Sequence, residues 1–99
     1  MYVLPIVTGN NRPSSLSLLN YPNPFNPRTT IAYQLPATAN VVLKVYDILG
    51  REVATLVNGK KGMGQYEKVW NGRNVASGVH FYRLVVGDFV QTRKLVLLK

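Results

Sequence analysis

The groups that could carry chemistry in this chain are few: one histidine, His80, four carboxylates, Asp47, Glu52, Glu67 and Asp88, and no cysteine. Catalysis needs titratable side chains that converge on one point. Ser77 lies three residues before His80, and Asp47 or Asp88 could complete a Ser-His-Asp set by composition. However, Ser77-Gly78 reads as a turn leading into a strand, and nothing in the sequence has the form of a nucleophile elbow. His80 is therefore expected to be a partly buried aromatic on a tyrosine-rich sheet. One histidine among scattered acids falls short of the three or four ligands of a transition-metal site, and thiolate ligation is ruled out. Only the Asn-rich loops offer oxygen donors to calcium, so no cofactor is expected. Gly59, Gly62 and Gly64 follow a strand with no helix behind them, which is not a phosphate-binding arrangement but hairpin-turn chemistry. Tyr33, Tyr46, Tyr66, Tyr82, Phe81 and Phe89 could form a stacking platform for sugars or single-stranded nucleic acid. Cross-strand packing within a sheet accounts for them more simply.

Composition sets the frame for those residues. Ninety-nine residues with 46% hydrophobic and 16% charged content make one domain with a single core, not a disordered polar tail. The net charge of +8 could mark a polyanion partner. Its bases are spread from Arg12 to Lys99, with only Lys60-Lys61 and Arg93-Lys94 adjacent, which reads as a solvated basic surface and not as a nucleic-acid footprint. No apolar run reaches the roughly 18 to 20 residues of a membrane-spanning helix. The amino end, Met1 to Val7, has no basic region and a Pro-broken apolar stretch, so it does not read as a signal peptide. An exported protein would then be represented here by a mature form or an excised piece.

The elements that must position these side chains are strands. Residues 1–15 read as an arm and linker: Tyr2, Val3, Leu4, Pro5, Ile6 and Val7 are apolar and β-prone, and Thr8 to Ser15 is rich in turn formers. Residues 16–99 read as one β-sandwich domain. A short strand from Leu16 to Asn20 runs into Tyr21-Pro22-Asn23-Pro24-Phe25-Asn26-Pro27, a stiff corner in which proline removes backbone donors and Asn23 and Asn26 form local turns. Tyr21 and Phe25 are expected to dock against the end of the sandwich. Strands are then expected over Thr29–Leu35, Val41–Asp47, Arg51–Val57, Gln65–Trp70, Val79–Val86 and Phe89–Leu98, with Asn58-Gly59 opening a turn that extends to Gly64. Seven strands with regular turn signals predict an all-β, seven-stranded immunoglobulin-like β-sandwich without a disulfide. Trp70 is its large core residue, and Tyr82 is placed to hydrogen-bond nearby backbone as a corner tyrosine. Period two puts Lys68 on the face of Trp70, which requires either a lysine at the rim or a bulge.

Five motifs in this order carry a family resemblance: Asn20-Tyr21-Pro22-Asn23-Pro24-Phe25-Asn26-Pro27 with Thr29-Thr30-Ile31, Val45 to Val53, Trp70-Asn71-Gly72, Ala76 to Leu84, and Lys94 to Lys99. Over about residues 17–99 the chain resembles the type A C-terminal sorting domain of the type IX secretion system. It is also similar to the immunoglobulin-like domain of flagellar hook-capping proteins. The resemblance implies a non-catalytic sandwich at the end of a secreted protein of the Bacteroidetes and their relatives, recognised by the outer-membrane secretion machinery, often removed, its cargo then attached to surface lipopolysaccharide. His80 stands where the family usually has Tyr, and Lys68 where an apolar residue is common. Such domains normally trail a cargo, whereas only a short leader precedes this one. The expected sorting signal is the last strand, Lys94, Leu95, Val96, Leu97, Leu98 and Lys99. The alternative is an extracellular filament in which the arm from Tyr2 to Val7 adds as a strand to the sheet edge of a neighbouring subunit.

Overall fold

The computed structural model describes residues 17–99, which form seven antiparallel strands in two sheets. These are β1 (Ser17–Tyr21), β2 (Arg28–Leu35), β3 (Ala39–Tyr46), β4 (Glu52–Lys61), β5 (Gly64–Asn71), β6 (Gly78–Val86) and β7 (Phe89–Leu97). One sheet has the order β1-β2-β5 and the other β4-β3-β6-β7. The expected immunoglobulin-like sandwich is therefore present. Its fourth strand hydrogen-bonds β3, whereas in the constant-type arrangement that strand sits on the sheet of the first, second and fifth.

The core follows from period-two alternation of β-branched, aromatic and leucine side chains. Ile31, Tyr33 and Leu35 of β2 meet Val41, Leu43 and Val45 of β3, with Tyr82 and Leu84 of β6 and Leu95 and Leu97 of β7. As the middle strand of the smaller sheet, β2 also buries Ala32 and Gln34. Trp70 is buried as expected, its ring 5.7 Å from that of Phe25.

Two expectations about β4 and β5 are corrected. Asn58 and Gly59 do not open a turn: β4 continues to Lys61, with Asn58 opposite Val42 and Gly59 opposite Val41. Gly62-Met63 then carries the chain from one sheet to the other, so Gly62 and Gly64 belong to a crossover and not to a hairpin. The turn signal was overridden because β3 offers β4 a partner as far back as Ala39. Register shifts between Leu43/Lys44 and Val45/Tyr46 mark bulges in this pairing, and they leave Val53, Ala54, Leu56 and Val57 all half-buried without clean alternation. The Lys68 conflict resolves at the rim. The β2–β5 ladder is unbroken from Arg28↔Asn71 to Leu35↔Gly64, and Lys68 is exposed along the open side of the sandwich.

Candidate functional site

The terminal strand is the outermost of the larger sheet. One edge of β7 pairs with β6 from Val86↔Phe89 to Gly78↔Leu97. Its side chains alternate, with Leu95 and Leu97 fully buried, Val96 half-buried, and Lys94, Leu98 and Lys99 exposed.

Along the Lys94–Leu98 half, the proline corner takes the place of a neighbouring strand. Phe25 N–H donates to the Val96 carbonyl at 2.9 Å, and Leu98 N–H donates to the Phe25 carbonyl at 2.9 Å, which forms a parallel bridge of Phe25 with Leu97. The side chain of Asn23 extends the pairing by two more bonds. It accepts Val96 N–H at 3.0 Å through Oδ1 and donates from Nδ2 to the Lys94 carbonyl at 3.3 Å. Pro22, Pro24 and Pro27 have no N–H to give a ladder, so a single residue and one amide side chain do the pairing. The sequence reads Asn23 as a local turn former; besides a 3.5 Å bond from Nδ2 to Asn20 Oδ1, its side chain reaches two partners more than seventy residues away, and no local pattern announces those.

Beneath the clamp runs a buried polar chain. Tyr82 O–H donates to Asn20 Oδ1 at 3.0 Å, Asn20 Nδ2 donates to Thr29 Oγ1 at 3.2 Å, and Thr29 O–H donates to the Pro22 carbonyl at 2.9 Å. Tyr82 thus behaves as a corner tyrosine whose hydroxyl bonds a side chain on β1. These groups would each be costly to bury unpaired. Phe25 docks at the sandwich end as expected. Tyr21 does not: it is half-buried on the sheet, and its hydroxyl donates to Glu67 Oε2 at 2.7 Å, which holds the phenol pKa above its ordinary value.

The other motifs close around the same end. Trp70 packs edge-on against His80 at 5.9 Å, and Gly72 N–H donates to the Pro27 carbonyl at 2.8 Å. A side chain at position 72 would begin 3.0 Å from Leu97 Cδ2, which explains the glycine after Trp70-Asn71. Lys99 Nζ donates to the Arg73 carbonyl at 2.7 Å.

The catalytic candidates do not assemble into a site. A hollow of about 480 Å³ is lined by Asp47, Ser77 and His80 among others. Asp47 is occupied, however: Oδ1 accepts the N–H groups of Leu49 and Arg51, and Oδ2 accepts Arg51 Nε at 2.8 Å. The Arg51 backbone bond, with the Arg51 side chain and Leu49 N–H behind it, holds the Asp47 carboxyl below the usual carboxylate range. His80 is buried against Trp70, with Nδ1 3.2 Å from the Gly78 carbonyl. Asp88 lies at the far end of β6 from His80, in the turn to β7. Among the described residues, no three of His, Asp and Glu gather to hold a metal. The aromatic residues are divided: Tyr33 and Tyr82 are buried, Tyr66 stacks on Tyr33 at 5.3 Å, and Tyr46 lies under the Arg83 guanidinium. The arm Tyr2–Val7 lies outside the described residues.

Comparison with known proteins bears on the terminal strand. No curated protein matches the chain. A crystal structure of dimeric latent PorU from Porphyromonas gingivalis is similar in fold, with a TM-score of 0.67 and 23% identity. The likeness covers 93% of this chain but only 10% of that one, so the chain spans a small part of its length. A family described as "Secretion system C-terminal sorting domain" matches residues 20–98, from Asn20 of β1 to the exposed Leu98. The chain therefore belongs to the type IX secretion C-terminal sorting domain family, whose proteins are exported to the cell surface or secreted.

Proposed function

We propose that this chain is a non-catalytic sorting module that directs a protein across the outer membrane and to attachment at the cell surface, with Lys94–Lys99 as the stretch read by the secretion machinery. Membership of the sorting-domain family is the observation that carries this reading. The form of the terminal strand adds to it. Its backbone pairs with β6 as far as Leu97 and with the corner from the Lys94 carbonyl to the Leu98 N–H, so a reader of the folded domain meets mainly side chains, namely Lys94, Leu98 and Lys99.

The test is export of a fused reporter from a type IX-competent cell. Deleting Lys94–Lys99 is expected to abolish export, but that deletion also removes two core leucines. A second variant, Lys94→Glu with Leu98→Glu and Lys99→Glu, changes only exposed groups. Loss of export from this variant, with its melting temperature close to that of the parent, is the expected result. Undiminished export from both variants would overturn the assignment of the signal.

A further inference from the structure

The corner covers only half of β7's outer edge. The alternation that turns the backbone of Lys94, Val96 and Leu98 toward the corner also turns Val90 and Thr92 outward. Among the described residues no strand pairs with them on that side. The open stretch runs from Asp88, in the turn, to Lys94, whose carbonyl is already taken by Asn23. Phe89 and Val90 within it are 38% and 55% exposed.

We propose that this edge pairs antiparallel with the same edge of a second copy of the chain, about a two-fold axis at Gln91. That register sets Val90 opposite Thr92, Phe89 opposite Arg93 and Asp88 opposite Lys94. Val90 and Thr92 both present backbone outward, so each such pair exchanges both N–H···O bonds and symmetry supplies the pair twice. Asp88 then meets Lys94 on one face, and Arg93 meets the ring of Phe89 on the other. Asp88, Arg93 and Lys94 make no ion pair within the described chain, where the two ion pairs are Lys44–Glu52 and Arg51–Asp47.

The neighbouring registers lack this match. Centring on Thr92 sets Lys94 opposite Val90, and centring on Val90 sets it opposite Val86. Charges on an edge strand usually discourage edge-to-edge association. Here they favour one register over its neighbours. Both ends are stopped, by the corner at Lys94 and by the Gly87-Asp88 turn, so pairing closes at two copies instead of propagating into a fibre.

Sedimentation equilibrium of the full 99-residue chain over a concentration series tests this. A single-chain to two-chain equilibrium is expected. Thr92→Pro removes an outward N–H that β6 does not use, and should leave one-chain mass throughout with an unchanged far-UV spectrum. Asp88→Lys, an exposed turn substitution, should weaken the dimer about tenfold by opposing like charges twice. Adding Lys94→Asp to it should restore the dimer. One-chain mass for the parent at every concentration, a dimer indifferent to these variants, or open-ended assemblies would each overturn the proposal.

Discussion

Asn23 does at one residue what a strand does with several: it offers β7 an acceptor and a donor at the spacing of a ladder. Both bonds are exposed, so water replaces them when the amide is lost, and the net contribution is about 0.5–1.5 kcal/mol each. Asn23→Ala is expected to lower the urea-derived stability by about 1–2 kcal/mol and to speed hydrogen exchange at Val96. Asn23→Asp keeps the acceptor and should leave Val96 protected. Gly72 is a second single-residue determinant. A methyl there would start 3.0 Å from Leu97 Cδ2 and 3.5 Å from Phe25 Cε2, so Leu97 must shift. Gly72→Ala should cost about 1–3 kcal/mol as overpacking, read from denaturant midpoints. Trp70 as core could be read from its size, and His80 as a buried aromatic from its place on a strand. The bonds of Tyr82 to Asn20 and of Asn23 to β7 could not, because each joins positions far apart in the chain.

At the scale of elements, alternation sufficed for β2 and β3, whose inward residues lie in the core. It failed for β4, where two bulges scramble the period and the Asn58-Gly59 pair, a turn signal in isolation, is drawn into pairing with β3. The choice of sheet for β4 was also hidden, since it depends on which edge is vacant and not on local propensity. The turn between β3 and β4 has its own determinant in Asp47. With its carboxyl held below the ordinary value of 3.8, Asp47 contributes stability that is complete above that pH and is lost as pH falls through the lowered folded value. Glu52, depressed by its bonds from Lys44 and Thr55, adds to the same acid limb. Asp47→Asn should flatten, without abolishing, the fall of the urea midpoint between about pH 4.5 and 2. An unchanged acid limb would show that the turn carboxylate is not linked to folding.

For the whole molecule, the sandwich is closed by residues from its two ends. Leu95 and Leu97 are both fully buried, and losing leucine side chains at such sites costs about 2–5 kcal/mol each. Together that rivals the roughly 5–15 kcal/mol by which a domain of this kind is stable. A chain ending at Arg93 is therefore expected to show no cooperative unfolding transition by circular dichroism. A cooperative melt from that chain would place the decisive core contacts elsewhere. The family motifs, scattered along the sequence, are thus largely the parts of one closure: corner, Trp70-Asn71-Gly72, His80 to Tyr82, and the last strand.

The single-residue bridge between Phe25 and Leu97 gives this closure a direction in time. During synthesis the corner leaves the ribosome first and finds its seat only once Val96 and Leu98 have followed. The folded domain is in this sense a receipt for a translated seventh strand. A product released before that strand keeps the proline motif and most of the others, yet it offers the corner no seat.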